Sequence, residues 1–181
     1  MNYITLDLET TGVDVQRDKP IQFAWVVHNS YNVRQTATKF LVNNQDIKVD
    51  PFIENLTGIT NEEIREKGIS PATAVQRYNT AVWSFQPAIL VGYNLINFDL
   101  PILQNFLCEN VPGRFKFPPL AGIWDVMHLC SKFFKTKKWL KLAEAGKKLD
   151  ILFDADRLHD ALADVNLTWA IFQELKERKA F

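Results

Sequence analysis

The chain has 181 residues, 47% of them hydrophobic, with 13 Phe and 5 Trp. That length suits one domain with a real core and is tight for two, and the apolar content excludes a disordered chain. Its 21 basic and 21 acidic residues cancel, so no gross charge marks it as a nucleic-acid binder.

No apolar run is long enough for a bilayer. The opening MNYITLDLETTG meets acids at once and is no secretory signal, so a cytoplasmic location is expected. The two cysteines, Cys108 and Cys130, lie in helix-like stretches far apart. They exclude a cysteine-type zinc site and read as two buried thiols, with a disulfide between them left open.

In chain order, residues 2–9 alternate as a strand, with Ile4, Leu6 and Leu8 on one face and Thr5, Asp7 and Glu9 on the other. Thr11-Gly12 signals a turn. Residues 21–28 and 33–42 form an antiparallel hairpin. Residues 50–67 read as short helical pieces broken at Thr57-Gly58, and 71–85 as a helix started by Ser70-Pro71. Residues 88–92, AILVG, make a buried strand. A helix over 98–110 must start just before Pro101, with Asn97 as its N-cap and Asp99 in its first turn. Two helices follow over 125–134 and 138–149. The last spans about 160–178, with apolar residues at 158, 162, 165, 169 and 172. With no repeat or linker, the order implies a single α/β domain over 1–181, a mixed sheet with helices on its faces.

Asp7 and Glu9 leave the same face of a strand, where buried acids need a partner or a metal. Alone, they also fit an exposed edge. Asp99 follows a strand, at the end of the sheet where open α/β folds place ligands, but could simply complement a helix dipole. His159 and Asp164 are five apart in HDALAD, so on one continuous helix they would diverge. His159 therefore belongs to the loop before the last helix, Asp160 near its N-cap, and Asp164 in its second turn, in line with Thr168 and Ile171.

Taken together, four carboxylates about 6 Å apart would repel by about 3 kcal/mol per pair at an effective dielectric of 20. Cations or protons must neutralise them. All-oxygen donors favour two Mg²⁺ or Mn²⁺ ions, the usual arrangement for phosphodiester cleavage. A neutral imidazole beside the attacking water can take its proton. A glycosidase would need only two carboxylates and no metal.

These segments resemble a known family. LDLETTG looks like the first motif of the DEDD superfamily of DnaQ-like exonucleases, the proofreading family typified by the epsilon subunit of DNA polymerase III. VGYNLINFDLPIL is similar to its second motif and HDALADV to its third, whose His marks the DEDDh branch. NLTGIT resembles the segment between the first two. Tyr93 departs from the family, which often has His there.

The resemblance implies an RNase H-like fold with a five-stranded mixed sheet. It implies a 3′→5′ exonuclease releasing nucleoside 5′-monophosphates, with Asp7, Glu9, Asp99 and Asp164 as metal ligands and His159 as general base. Thr10 would offer its backbone to the 3′-OH, Asn94 and Phe98 would flank the last nucleotides, and Leu56 and Thr57 would touch the terminal base. The expected partner is a single-stranded or frayed DNA 3′ end, and proofreading would need a separate polymerase. An RNA-directed member of the family is the alternative. A catalytically inactive nucleic-acid-binding or scaffolding domain is a further one, opposed by the presence of all five residues.

Setting the four carboxylates aside leaves 21 basic against 17 acidic residues, a net +4. Lys132, Lys135, Lys137, Lys138, Lys141, Lys147 and Lys148 cluster late in the chain with Glu144 the only acid among them. They read chiefly as a solvated helix face opposite a stripe of Trp139, Leu142, Ala145 and Leu149, with one or two placed to meet a phosphate backbone. Asp125 reads as an N-cap rather than a fifth ligand. His28 and His128 read as structural, and Asp154 and Asp156 as part of the loop before His159.

Overall fold

A computed structural model describes residues 1–44, 47–111 and 119–181. Five strands form one mixed sheet: β1 (Asn2–Thr10), β2 (Pro20–Asn29), β3 (Arg34–Leu41), β4 (Ala88–Gly92) and β5 (Gly122–Asp125), in the order β3-β2-β1-β4-β5. β1 is central. It runs antiparallel to β2, and parallel to β4, which is in turn parallel to β5. The carboxyl ends of β1, β4 and β5 thus share one edge. The hairpin turn between β2 and β3 forms because the Asn29 side chain accepts from the amides of Tyr31 and Val33, while Asn32 takes a left-handed φ of 62°.

Among the described residues, seven helices cover the sheet: α1 (Pro51–Thr57), α2 (Asn61–Lys67), α3 (Pro71–Ser84), α4 (Asp99–Asn110), α5 (Val126–Phe134), α6 (Leu142–Lys148) and α7 (Ala161–Glu177). The alternation of β1 divides the core. Ile4, Leu6 and Leu8 pack with residues of α3 and α4. On the other face α7 lies against the sheet, where Ala161 and Val165 meet Ala24 and Val26. Asp7 pairs in register with Ala24, so small residues let the start of α7 come close to the acids of β1. Among the described residues, no helix is long and apolar enough to cross a membrane.

Several local expectations are corrected. The sequence hid β5, whose four residues abut a helix. Asn97 does not cap α4; Phe98 holds that position without a side-chain hydrogen bond. α6 is shorter than 138–149, and the stripe shifts: Leu140 is buried while Trp139 is 52% exposed. Cys108 is exposed and Cys130 buried, both free, which removes the disulfide. The α1–α2 break, by contrast, falls at Gly58 as expected, where a φ of 71° favours glycine.

Gly92 closes β4 where the chain must turn sharply. A Cβ there would sit 2.8 Å from the Cβ of Leu95 and 3.1 Å from the Leu6 carbonyl oxygen. Neither atom can swing aside, so only glycine lets the 93–98 turn fold back over β1 and deliver Asp99.

Candidate functional site

Asp7 and Glu9 leave β1 on the α7 side, Asp7 half-buried and Glu9 buried. Asp99 opens α4 and is 3% exposed; its Oδ1 accepts from the Leu8 amide at 3.0 Å. That bond ties the start of α4 to the central strand, between the two β1 acids.

Asp164 lies in the first turn of α7, one turn earlier than its spacing suggested, because the helix starts at Ala161. Its N-cap is Asp160, which accepts from the amides of Leu162 and Ala163 and pairs with Lys39 at 2.6 Å. His159 sits on the loop before the helix, as its offset requires, exposed and at a left-handed φ of 67°. Its amide donates to Asp164 Oδ2 at 3.3 Å. Donor atoms of Glu9, His159 and Asp164 all lie within 4.8 Å of one another.

The electrostatics show an unpaid charge. Burial, then Asp99, Glu9 and Asp164, push the Asp7 carboxyl well above the usual carboxylate range. Burial, then Asp164 and Asp99, raise Glu9 to about 9. Burial raises Asp99 to about 8 against the opposing Leu8 hydrogen bond, and raises Asp164 to about 6. Among the described residues, no lysine or arginine stabilises any of the four; Lys39 is engaged by Asp160. Asp164 Oδ1 is buried with no hydrogen-bond partner. An orphaned carboxylate oxygen on a residue grouped with Glu9 and His159 fits a hard divalent cation.

A pH dependence follows. Raised folded-state values mean that the native chain holds protons which the unfolded chain has released, so stability falls as pH rises through the window ending at the folded values. For Asp99 and Glu9 that window extends to about 8 and 9. His28 acts in the opposite sense. Burial first, then Arg34, lower it to about 4, so its contribution is lost as pH falls below the imidazole's ordinary range. Between pH 7 and 9 the carboxylates dominate, and the Cys130 thiol, pushed up by burial to about 12, adds to the same fall as pH nears 9. In EDTA, Tm is expected to drop by about 5 °C over that interval, and Asp7→Asn to flatten the slope. A Tm that holds or climbs there would contradict the buried charge.

Asp125 caps α5 by accepting from the Met127 amide at 3.1 Å, as its position predicted. Its second task is missed by the sequence reading. The same carboxylate accepts from the amides of Asn94 at 3.1 Å and Ile96 at 3.0 Å. It brackets the turn that leads to Asp99. The only available signal was an acid at the end of a strand beside the second motif. Asp125→Ala strips three amides of a charged acceptor and is expected to cost about 3 kcal/mol in urea denaturation. An unchanged midpoint would rule the bracket out.

The other expected contacts are more scattered. Thr10 is buried at the end of β1 and donates its hydroxyl to the Gly12 carbonyl at 2.7 Å. Asn94 takes a left-handed φ of 58°, and Phe98 is half-buried against the α3–α4 side of the core. Leu56 is 42% exposed on α1, and the Thr57 hydroxyl is engaged locally with Ile53 and Ile59. Their hydrogen bonds do not join them to the carboxylates. His128, read as structural, stacks on Trp139; His28 stacks on Trp169. A cleft of about 470 Å³ runs from Asp164 and His159 past Tyr93 and Asn94 to Trp139 and Lys141.

Residues 4–172 match the exonuclease family model of the RNase T type. The chain is 29% identical over 181 residues to a DNA polymerase III PolC-type of Mycoplasmopsis pulmonis (strain UAB CTIP), covering 97% of this chain and 12% of that protein. It is 29% identical over 177 residues to the 3′-5′ exonuclease DinG of Bacillus subtilis (strain 168), covering 97% and 18%. Among solved structures, E. coli exonuclease I in complex with a dT13 oligonucleotide matches with a TM-score of 0.81 at 26% identity, over 98% of this chain and 41% of that one. This chain therefore spans well under half the length of these relatives. The architecture is the RNase H-like one that exonuclease I carries. With the family model covering nearly its whole length, the chain belongs to the exonuclease family.

Proposed function

We propose that this domain hydrolyses single-stranded or frayed DNA from the 3′ end, releasing nucleoside 5′-monophosphates. The observation that carries the reading is the set of four carboxylates, raised together and, among the described residues, without a lysine or arginine partner, at the carboxyl edge of the parallel strands. The names of the relatives support it: one is a 3′-5′ exonuclease, and another was solved with an oligonucleotide.

Asp7, Glu9, Asp99 and Asp164 would hold two divalent cations, Mg²⁺ or Mn²⁺. Bound there, such ions supply charge neutralisation for an in-line displacement at phosphorus. The protein's own part is positioning and proton transfer. The Leu8 amide orients Asp99, and the His159 amide orients Asp164. The His159 ring, beside Glu9 and Asp164, takes a proton from water as its oxygen bonds to the phosphorus of the terminal nucleotide. The P–O3′ bond to the preceding nucleotide breaks, and that oxygen collects a proton from solvent. Thr10, Asn94 and Phe98 flank the departing nucleotide, with Leu56 and Thr57 toward its base. Similarity to part of a PolC-type DNA polymerase III supports proofreading in association with a polymerase.

The test is digestion of 3′- and 5′-labelled DNA and RNA oligomers, single- and double-stranded, with Mg²⁺, Mn²⁺ or EDTA. Mononucleotide release from a 3′ label, dependent on the cation and faster on DNA, is the expected result. Activity in EDTA would overturn the metal reading, and faster digestion of RNA the sugar preference.

A further inference from the structure

The segment between α5 and α6 displays a tryptophan where the core has no use for one. Leu140 fills the buried position at 8% exposure, and its neighbour Trp139 is left 52% exposed. The segment is nonetheless pinned. The Tyr93 hydroxyl donates to the Leu140 carbonyl at 2.7 Å, Thr136 Oγ1 to the Lys138 carbonyl at 2.9 Å, and Ser131 Oγ to the Thr136 carbonyl at 2.8 Å. The indole stacks on the His128 ring, centroids 4.8 Å apart and planes 28° from parallel, and Asn97 contacts that imidazole at 3.4 Å. Trp139 lines the same cleft as His159 and Asp164.

Charge points the same way. Lys137, Lys138 and Lys141, all within two residues of Trp139 in the chain, are exposed, and Lys141 lines the cleft. Glu144, whose carboxyl accepts from the Lys141 amide, is the one acid amid Lys138, Lys141 and Lys148. An exposed aromatic plane on a segment with neighbouring cations, in the same cleft as an acidic centre, matches one occupant: an unpaired base followed by its phosphates. A single isolated exposed Trp would need no explanation; one on a segment held by three hydrogen bonds and backed by a second ring does.

We infer that Trp139, backed by His128 and with Lys138 and Lys141 close to it in the chain, is a stacking platform for a base of single-stranded DNA on the 5′ side of the nucleotide being removed. The strand's direction rests on the exonuclease reading; the platform itself does not. Stacking tolerates any base but demands an unpaired one, so the platform would select single strands without reading sequence.

The experiment compares wild type, Trp139→Ala and Trp139→Phe on two substrates, dT12 and the p-nitrophenyl ester of thymidine 5′-monophosphate, which has no upstream nucleotide. Binding of fluorescein-labelled dT12 is followed by anisotropy in EDTA. Trp139→Ala should weaken dT12 binding and raise its KM about tenfold, with ester hydrolysis unchanged and Trp139→Phe restoring most of the loss. Lys138→Ala/Lys141→Ala should lower the slope of log Kd against log salt by about one. Unchanged dT12 binding, or an equal fall on both substrates, would overturn the platform. If wild type cleaves neither substrate while Trp139→Ala still loses dT12 binding, the platform stands and the exonuclease reading falls.

Discussion

Asp164→Ala is expected to lower hydrolysis of a labelled 3′ end by well over ~100-fold, and yet to leave a protein that melts at a higher temperature in EDTA at pH 8. The loss should exceed the 10–100-fold that removing an outer partner of a metal site costs, because Asp164 is proposed to hold the ion itself. The gain in stability comes from what the residue lacks. Its Oδ1 has no hydrogen-bond partner, and its carboxyl is raised to about 6 by burial. Deleting it removes a desolvated acid that also raises Asp7 and Glu9. The amide of His159 loses an acceptor but lies on an exposed loop where water replaces it. Adding Mn²⁺ should raise the Tm of wild type and do much less for the variant. Retained activity, or a lower Tm in EDTA, would contradict the assignment.

His159→Asn should behave differently. Removing a positioned general base costs about 10²–10⁴ in rate, but the carboxylates remain, so the Mn²⁺-dependent rise in Tm should survive. Asparagine is the informative substitution. His159 has a left-handed φ of 67°, which Asn tolerates better than Ala, so the amide that holds Asp164 stays in place. A kcat within a few-fold of wild type would remove His159 from the chemistry. Loss of the metal response along with the rate would instead make it a ligand, in keeping with its closeness to Glu9 and Asp164.

What the sequence made legible was whatever leaves a periodic or punctuated trace. The two-residue spacing of Asp7 and Glu9 placed both on one face of β1. Pro101 located the start of α4, and so the position of Asp99, to within a residue. The five-residue gap between His159 and Asp164 required a loop and a helix, and both are there. Features depending on distant neighbours left no such trace. β5 is four residues long with Ile123 partly exposed, too short for an alternation to be read. Trp139 was assigned to a buried stripe because hydrophobicity cannot say which of two adjacent apolar residues, Trp139 or Leu140, a helix start will turn inward. Cys108 was placed inside for the same reason. The bracket from Asp125 to the amides of Asn94 and Ile96 spans about 30 residues and could only be seen once β4 and β5 were paired.

The order of the strands also has a consequence in time. β1 is the hub of the sheet, yet its partners β2 and β4 and its covering helix α7 come from three separate stretches of chain. The four acids lie at residues 7, 9, 99 and 164. The early hairpin can form locally, whereas closing β1 onto β4 and then α7 means joining ends about 80 and 150 residues apart, the slow kind of event in folding. The repulsion among the acids opposes those last steps. On the proposed reading, a half-made chain would carry pieces of the carboxylate site but not the whole of it, and its chemistry would be withheld until α7 docks.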